Sequence, residues 1–339
     1  MMRIGVIGAG YWGPNLIRNF REIGVLSVVC DSDAQKLEKI KTRYRDVETT
    51  EHIEKLLEKS DAVAIATGGG SHYKLAKLVL EHNKDVFVEK PLALTVEDGE
   101  CLVRLAKDRN RILMVGHLLL YHPAVRMLKK YMDDGVLGNI RYIYSQRVNL
   151  GRVRKDENAL WSFGPHDISV ILYLLQKEPT KVMAIGESYL MKGVDDVVFL
   201  ILYFHQKMLV HIHLSWLDPH KMRKFTIVGD KKMAVFDDME ASEKIKLYDK
   251  GVDFSTEFSN VSEALSLRSG DILIPKVDNK EPLSIECREF VDCVAKKKTP
   301  LSDGRLALKV LKVLGSAQES IDSGGVWIQL KNQISNIKM

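Results

Sequence analysis

The stretch Ile4-Gly5-Val6-Ile7-Gly8-Ala9-Gly10-Tyr11-Trp12-Gly13 runs a short apolar segment straight into the spacing GxGxxG. Residues 3–7 read as a strand and 14–22 as a helix closed by Gly24, so the glycines occupy the turn between them. Each has a separate physical use. Gly8 permits the tight turn, Gly10 lets the backbone approach a pyrophosphate, and Gly13 lets helix and strand pack closely. The free N–H groups of the helix N-terminus suit the phosphates, and Tyr11 and Trp12 complete the cofactor loop. Asp31 comes 18 residues after Gly13, at the end of a second strand over 25–30. A carboxylate there can accept hydrogen bonds from both ribose hydroxyls and repels a 2′-phosphate, which favours NAD over NADP. The bland alternative is a glycine-rich turn followed by a surface aspartate.

The alternation continues outward from this turn. A helix over 34–43 follows, then short strands at 61–67, 85–89 and 111–116, with helical stretches at 73–82 and 95–110 between them. Strands that are apolar on both faces and separated by helices indicate a parallel sheet covered on both sides. The fold class is therefore α/β, with a doubly wound domain over 1–117. After His117 the pattern changes. A helix over 121–131, a long strand over 140–150 and a helix at 166–175 lead into strands at 181–191, 196–205, 208–216, 224–228, 233–236 and 244–248. Short turns between several of them predict a mostly antiparallel sheet. Helices at 284–296 and 304–323 close an α+β domain over 118–339, and residues 251–279 read as a long loop.

Composition narrows the class further. The 339 residues are 45% hydrophobic, 7% aromatic and 28% charged, ordinary values for a globular chain and unlike a disordered or collagen-like one. Fifty Lys and Arg against 45 Asp and Glu leave +5, which suits an anionic small substrate and requires no nucleic acid. The longest apolar run, 197–204, falls far short of the about 20 residues that a spanning helix needs. The start shows no signal-peptide pattern. Cys30, Cys101, Cys287 and Cys293 have neither CxxC nor Cys/His metal spacing, so no metal is expected and a reducing, cytoplasmic location is.

Two more strand ends carry chemistry. Ala66-Thr67-Gly68-Gly69-Gly70-Ser71-His72 offers glycines at a strand's carboxyl end, where open α/β sheets bind ligands; an ordinary turn with Ser71 as N-cap is the alternative. Glu89-Lys90-Pro91 ends the next strand. Proline restricts the residue before it to extended geometry, so Lys90 is held where it can point toward the nicotinamide and help remove a hydroxyl proton. Taken alone, this too could be a solvated turn.

GxGxxG, Asp31, the Ala-Thr loop with His72, Glu89-Lys90-Pro91 and Gly164-Pro165-His166-Asp167 together resemble the family of glucose-fructose oxidoreductases and inositol dehydrogenases, Gfo/Idh/MocA, over nearly the whole chain. The stretches Gly116-His117, Tyr121-His122-Pro123, Asn149-Leu150-Gly151-Arg152, Trp161-Ser162-Phe163-Gly164-Pro165-His166-Asp167, Ser215-Trp216-Leu217-Asp218-Pro219 and Asp237-Asp238 resemble most closely the nucleotide-sugar 3-dehydrogenases of that family. The resemblance implies a Rossmann domain binding NAD through Gly8, Gly10, Tyr11, Trp12, Gly13, Asp31, Thr67, Gly68, His72, Glu89 and Lys90. It implies an active site in the cleft between the domains, with Lys90 and His166 as catalytic residues and oxidation of a secondary hydroxyl, C3 of UDP-N-acetylglucosamine or its uronate, in polysaccharide biosynthesis. Many members carry an Asp four residues before this His, where Ser162 stands here. His166 and Asp167 could instead be helix-start residues.

Arg147, Arg152 and Arg154 put forked cations where a diphosphate or carboxylate could lie, and Asn149 and His122 join Lys90 and His166 as substrate candidates. A solvated basic face and satisfied structural histidines, His117 included, are the alternatives. The resemblance also implies a homodimer or homotetramer paired through the second sheet. Two other readings stay open: a dehydrogenase or ketoreductase of a free sugar, inositol or deoxysugar, and a non-enzymatic NAD-binding regulator.

Overall fold

In the computed structural model, which describes residues 2–151, 153–155, 157–254 and 265–330, the opening turn lies between strand β1 (Ile4–Ile7) and helix α1 (Gly13–Ile23). The chain continues through β2 (Leu26–Cys30), α2 (Ala34–Arg43), β3 (Glu48–Thr50), α3 (Ile53–Lys59), β4 (Ala62–Ile65), α4 (Gly69–Glu81), β5 (Asp85–Glu89), α5 (Val96–Asp108) and β6 (Leu113–Gly116). The six strands form one sheet in the order β3-β2-β1-β4-β5-β6, every pairing parallel. Strand order reverses at β1/β4, so the glycine turn after β1 and the loop after β4 flank the crevice where such sheets bind ligands. β1, β4 and residues 85–88 of β5 are buried throughout, as strands covered by helices on both faces must be. The predicted doubly wound α/β unit is what the chain forms. The short β3 and α3 went unpredicted, being too brief to show a period.

The chain separates into two compact units, residues 1–121 with 280–312 and residues 122–279 with 313–339. These units differ in two ways from the expected division into 1–117 and 118–339. The first unit runs four residues further, and a C-terminal segment returns to it. That segment carries α8 (Pro282–Lys296), whose Phe290 packs edge-on against Phe20 of α1 and Phe87 of β5, ring centroids 6.3 and 5.7 Å apart. Val115 also donates its backbone N–H to the Ser302 carbonyl. A reading along the chain sees the order of elements and not such a return.

The second unit holds α6 (Pro123–Asp133), β7 (Ile140–Val148), α7 (Ala159–Leu175), β8 (Lys181–Glu187), β9 (Val197–Tyr203), β10 (Leu209–Ser215), β11 (Met222–Gly229), β12 (Met233–Asp237), β13 (Ile245–Phe254), β14 (Leu265–Leu273) and β15 (Ile328–Gln329). Helix α9 (Gly304–Asp322) spans the point at which the chain passes from the first unit to the second. Nine strands form one sheet, β14-β13-β12-β11-β7-β10-β9-β8-β15, antiparallel except for the parallel pair β10/β7. The alternation is clean: Val198, Leu200 and Leu202 are buried, while Phe199 between them is 45% exposed. Helix α7 packs across the inner face of β7, β9 and β10.

The long loop expected over 251–279 is corrected at 251–254 and 265–273, which are strand, while residues 255–264 lie outside the described residues. β13 runs to Phe254 and pairs antiparallel with β14. Gly251, Gly270, serines and charges on this edge hairpin erased the apolar alternation that marks a strand.

Candidate active site

The glycine turn passes a test of fit for a dinucleotide. Gly8 has φ +102°, and a Cβ there would meet the Ala66 backbone at 2.8 Å. A Cβ on Gly13 would lie 2.0 Å from the Gly8 carbonyl oxygen, so only glycine lets α1 start this close to β1. Nothing lies within 4 Å of the Gly10 Cβ position, which leaves the backbone open to a ligand. Trp12 caps α1 without a side-chain hydrogen bond, Pro14 stands in the first turn, and no acidic residue neutralises it. The helix end therefore keeps its positive character and amides for an anion. Asp31 is fixed by accepting from the Ala9 N–H at 2.7 Å and the Asp33 N–H at 2.9 Å. Tyr11 is 81% exposed beside the turn.

The next strand end repeats the design. α4 begins at Gly69, earlier than its periodicity suggests, with Gly68 as a cap that offers no side chain. The glycines bring this first turn onto Pro91, 3.4 Å from the Gly69 Cβ position. Ser71 does not cap the helix with its side chain; its hydroxyl donates to Thr67 Oγ1 at 2.7 Å and to the Gly68 carbonyl at 2.8 Å. His72 is 1% exposed, with Nδ1 2.7 Å from the Pro91 carbonyl and Nε2 3.1 Å from that of Thr67. Burial lowers its pKa and keeps the ring neutral. His72, expected as a cofactor contact, thus links the two strand-end loops through the Pro91 and Thr67 carbonyls.

Lys90 follows β5 with a cis peptide bond to Pro91. Ahead of it, Glu89 accepts a hydrogen bond from the Trp12 indole N–H at 2.5 Å and another from the Lys90 backbone N–H at 3.3 Å. The glycine turn and the lysine segment are therefore tied by one carboxylate, which no sequence spacing announced. Desolvation pushes the Glu89 pKa up to about 7 against those two hydrogen bonds and the Lys90 charge. At the end of β6, His117 is 2% exposed with neither ring nitrogen hydrogen-bonded among the described residues. Burial, and then the Lys90 charge, bring its pKa down to about 3.

In the second unit, His166 lies inside α7 rather than at its start, because Asn158 caps that helix by accepting from the Trp161 N–H at 3.1 Å. Pro165 sits within the helix, where its missing N–H frees the carbonyl one turn back. Ser162 stands one turn before His166 on the same helix face. Asp167 is not a cap: its carboxylate receives the Arg147 Nε–H at 2.5 Å, with side-chain exposures of 1% and 7%. Arg147, read as a substrate cation, is held by this structure in a buried ion pair. Arg223, directly opposite it in the β11/β7 register, was not singled out in the sequence. Its side chain is 41% exposed, and burial followed by the Arg147 charge lowers its pKa.

His122, a substrate candidate in the sequence, has structural partners here. It caps α6, with Nδ1 accepting from the Ala124 N–H at 3.0 Å and Nε2 3.4 Å from Asp238. Burial raises the Asp238 pKa, but the hydrogen bond and charge of His122, with Lys244 and Arg223, hold it low. Asn149 follows β7, half-buried, its backbone N–H bonded to the Ser215 carbonyl at 3.1 Å. Arg154 pairs with Glu157 at 2.7 Å, and Arg152 lies outside the described residues. Among the described residues there is no group of three His, Cys, Asp or Glu arranged to hold a metal ion.

A parallel sheet reversing at β1/β4, two uncapped helix ends and a strand-end lysine define an NAD-dependent oxidoreductase. Comparison with known proteins gives the family. Residues 2–117 match the model described as oxidoreductase family, NAD-binding Rossmann fold, and residues 125–235 match the GFO/IDH/MocA C-terminal domain. The chain belongs to the GFO/IDH/MocA oxidoreductase family. It is 23% identical over 312 residues to the UDP-N-acetylglucosamine 3-dehydrogenase of Acidithiobacillus ferrooxidans, covering 91% of this chain and 94% of that one. The 2,7-anhydro-N-acetylneuraminate hydratase of Mediterraneibacter gnavus is 26% identical over 250 residues, 69% of this chain and 66% of that protein. The solved structure of the Acidithiobacillus dehydrogenase superposes with a TM-score of 0.81 at 22% identity, covering 95% of this chain and 98% of that one, a likeness of fold.

Proposed function

We propose that the protein oxidises a secondary hydroxyl of a nucleotide-activated sugar, C3 of UDP-N-acetylglucosamine or its uronate, as a step in making a polysaccharide. The observation that carries this reading is the Trp12–Glu89–Lys90 link, which fixes a lysine next to the phosphate-binding turn. Bound NAD supplies the hydride acceptor. Lys90 holds the reacting hydroxyl, and Lys90 and His166 take the proton that leaves as the C–H hydride is removed. Ser162, one turn from His166, orients that ring in place of a carboxylate. Asn149, Arg152 and Arg154 bind the sugar and diphosphate, Arg forks being suited to both phosphates. The 3-dehydrogenase relative, alike over nearly its full length, supports the choice of UDP-sugar.

The proposal extends to assembly and location. Tyr142, Ile185, Phe199 and Leu209, each at least 43% exposed, give the outer face of the second sheet an apolar surface through which copies pair as a homodimer or homotetramer. Four free thiols suit the cytoplasm, and among the described residues no helix is long and apolar enough to cross a membrane. Incubation with NAD and UDP-N-acetylglucosamine, its uronate, free N-acetylglucosamine and myo-inositol, followed at the NADH absorbance band, tests the substrate. NADH from a UDP-sugar alone is expected. Turnover of the free sugar or inositol with no response to either UDP-sugar overturns the substrate class.

A further inference from the structure

Helix α8 brings a carboxyl to the underside of the Lys90 segment. Glu286 is 0% exposed, and neither of its oxygens has a hydrogen-bond partner among the described residues. Its neighbours on the helix explain where it points. Phe290, one turn later on the same face, stacks edge-on with Phe87 of β5. Glu89 is two residues beyond Phe87 and so projects from the same face of the strand. One helical turn and two strand residues advance by similar distances, about 5.4 and about 6.7 Å. The Phe87–Phe290 contact therefore sets Glu286 and Glu89 against the same enclosed space. The charges of Glu89 and then Glu289 act on Glu286.

A carboxylate without a partner in such a place is far more costly than a neutral carboxyl, and two carboxylates sharing a dry region do not both ionise. Glu89 has the counter-partners: the Trp12 indole, the Lys90 amide and the Lys90 charge. Glu286 has none, so the single proton of the pair resides on it. A protonated carboxyl carries one O–H that needs an acceptor.

We propose that Glu286 is a positioning residue for the reaction, held protonated in the core and donating its carboxyl hydrogen to Glu89, directly or through one enclosed water, so that Glu89 keeps Trp12 and Lys90 in register. The titratable groups around this space are Lys90 and Glu89 from β5 and its end, His117 from the end of β6 beside the Gly116 that pairs with Glu89, Cys287 and Glu289 from α8, Tyr121 from the turn after β6, and Arg18 from α1, which is paired with Glu281. Glu286 is the fully enclosed carboxyl that α8 places on the Glu89 side. The proposal rests on Lys90 being the residue at the reacting hydroxyl, but its test does not depend on which sugar is used.

Infrared difference spectra of the full-length protein with NAD, taken well above the pH at which Glu89 titrates, read the proton directly. A protonated-carboxyl carbonyl band is expected in the wild type and absent from Glu286→Gln. A wild type without that band overturns the proposal. The second readout is the pH at which NAD affinity, and turnover once a substrate is in hand, changes on the acid side. Glu286→Gln keeps a neutral donor and should retain the wild-type midpoint. Glu286→Leu removes the donor to the ionised Glu89 and should raise the midpoint by about one pH unit, with turnover at neutral pH about tenfold lower and KM for the sugar little changed. An unchanged profile in a folded Glu286→Leu overturns the proposal. Should Glu286→Leu not fold, the infrared band in wild type and Glu286→Gln still decides. Failure of Lys90→Ala to lose turnover would sink the functional reading without touching the infrared result.

Discussion

Replacing Arg147 by Met separates a structural ion pair from a substrate contact. The guanidinium and the Asp167 carboxylate are 2.5 Å apart with almost no exposure, so Arg147→Met leaves Asp167 charged and buried. Removing one partner of such a pair costs roughly 3–5 kcal/mol. In a unit of this size, about 1 kcal/mol moves the melting temperature by roughly 2–4 °C, which gives a fall of roughly 6–20 °C. The double variant Arg147→Met with Asp167→Leu removes both charges and restores apolar volume. It should recover to within about 1 kcal/mol of wild type or exceed it, since one Asp167 oxygen already lacks a hydrogen bond among the described residues. Calorimetry of the four proteins of the cycle measures the coupling, and initial rates with the UDP-sugar give KM. A KM for the double variant within about threefold of wild type fits a framework role. The reasoning is refuted if Arg147→Met melts like wild type while KM rises tenfold or more, because Arg147 would then be spending its charge on substrate.

Four shorter predictions follow from other parts of the molecule. Gly13→Ala pushes a methyl carbon to 2.0 Å from the Gly8 carbonyl, and the forced shift of about 1–3 kcal/mol should weaken NAD binding roughly 5- to 150-fold in a fluorescence titration. Lys90→Ala should bind NAD nearly normally in the same titration and lose roughly 100- to 10,000-fold in turnover; retained turnover ends its catalytic assignment. Glu89 ionises near pH 7 when folded and near 4.5 when unfolded, so folding is opposed increasingly as pH rises between those values. Glu89→Gln without NAD should therefore gain on wild type by about 1.4 kcal/mol per pH unit across that window in denaturant melts, then level off. His117 has the opposite sign: its folded pKa of about 3 against 6.5 means stability is lost as pH falls from 6.5 toward 3, and His117→Phe should abolish that part of the acid sensitivity.

The parts of this protein legible in its sequence are those where one local rule fixes the geometry. Gly13 must be glycine because a carbonyl occupies its Cβ position, and Gly8 because its φ is positive; both demands lie within ten residues of chain. The parallel sheet was legible for the same reason, since strands buried on both faces are apolar at every position. What stayed hidden depended on partners distant in sequence. Arg147 and Lys90 look alike as cations in the sequence, yet Asp167 pairs with one in the core, while Glu89 accepts from the backbone N–H of the other. His72 and His122 suggested ligand chemistry by type, and the sequence did not show the loop carbonyl and helix cap that they also serve. Glu286 left a faint mark. Leu283, Glu286, Cys287, Phe290 and Val294 share the buried stripe of α8, and a carboxylate there breaks the pattern that the other four set. A charge on an apolar stripe costs stability unless something uses it, so the misfit points to function in the same way that the unpaired oxygens do. The sequence-level sign and the structural one meet at the residue that faces Glu89, and that coincidence is why Glu286 deserves mutation before any of the better-exposed acids.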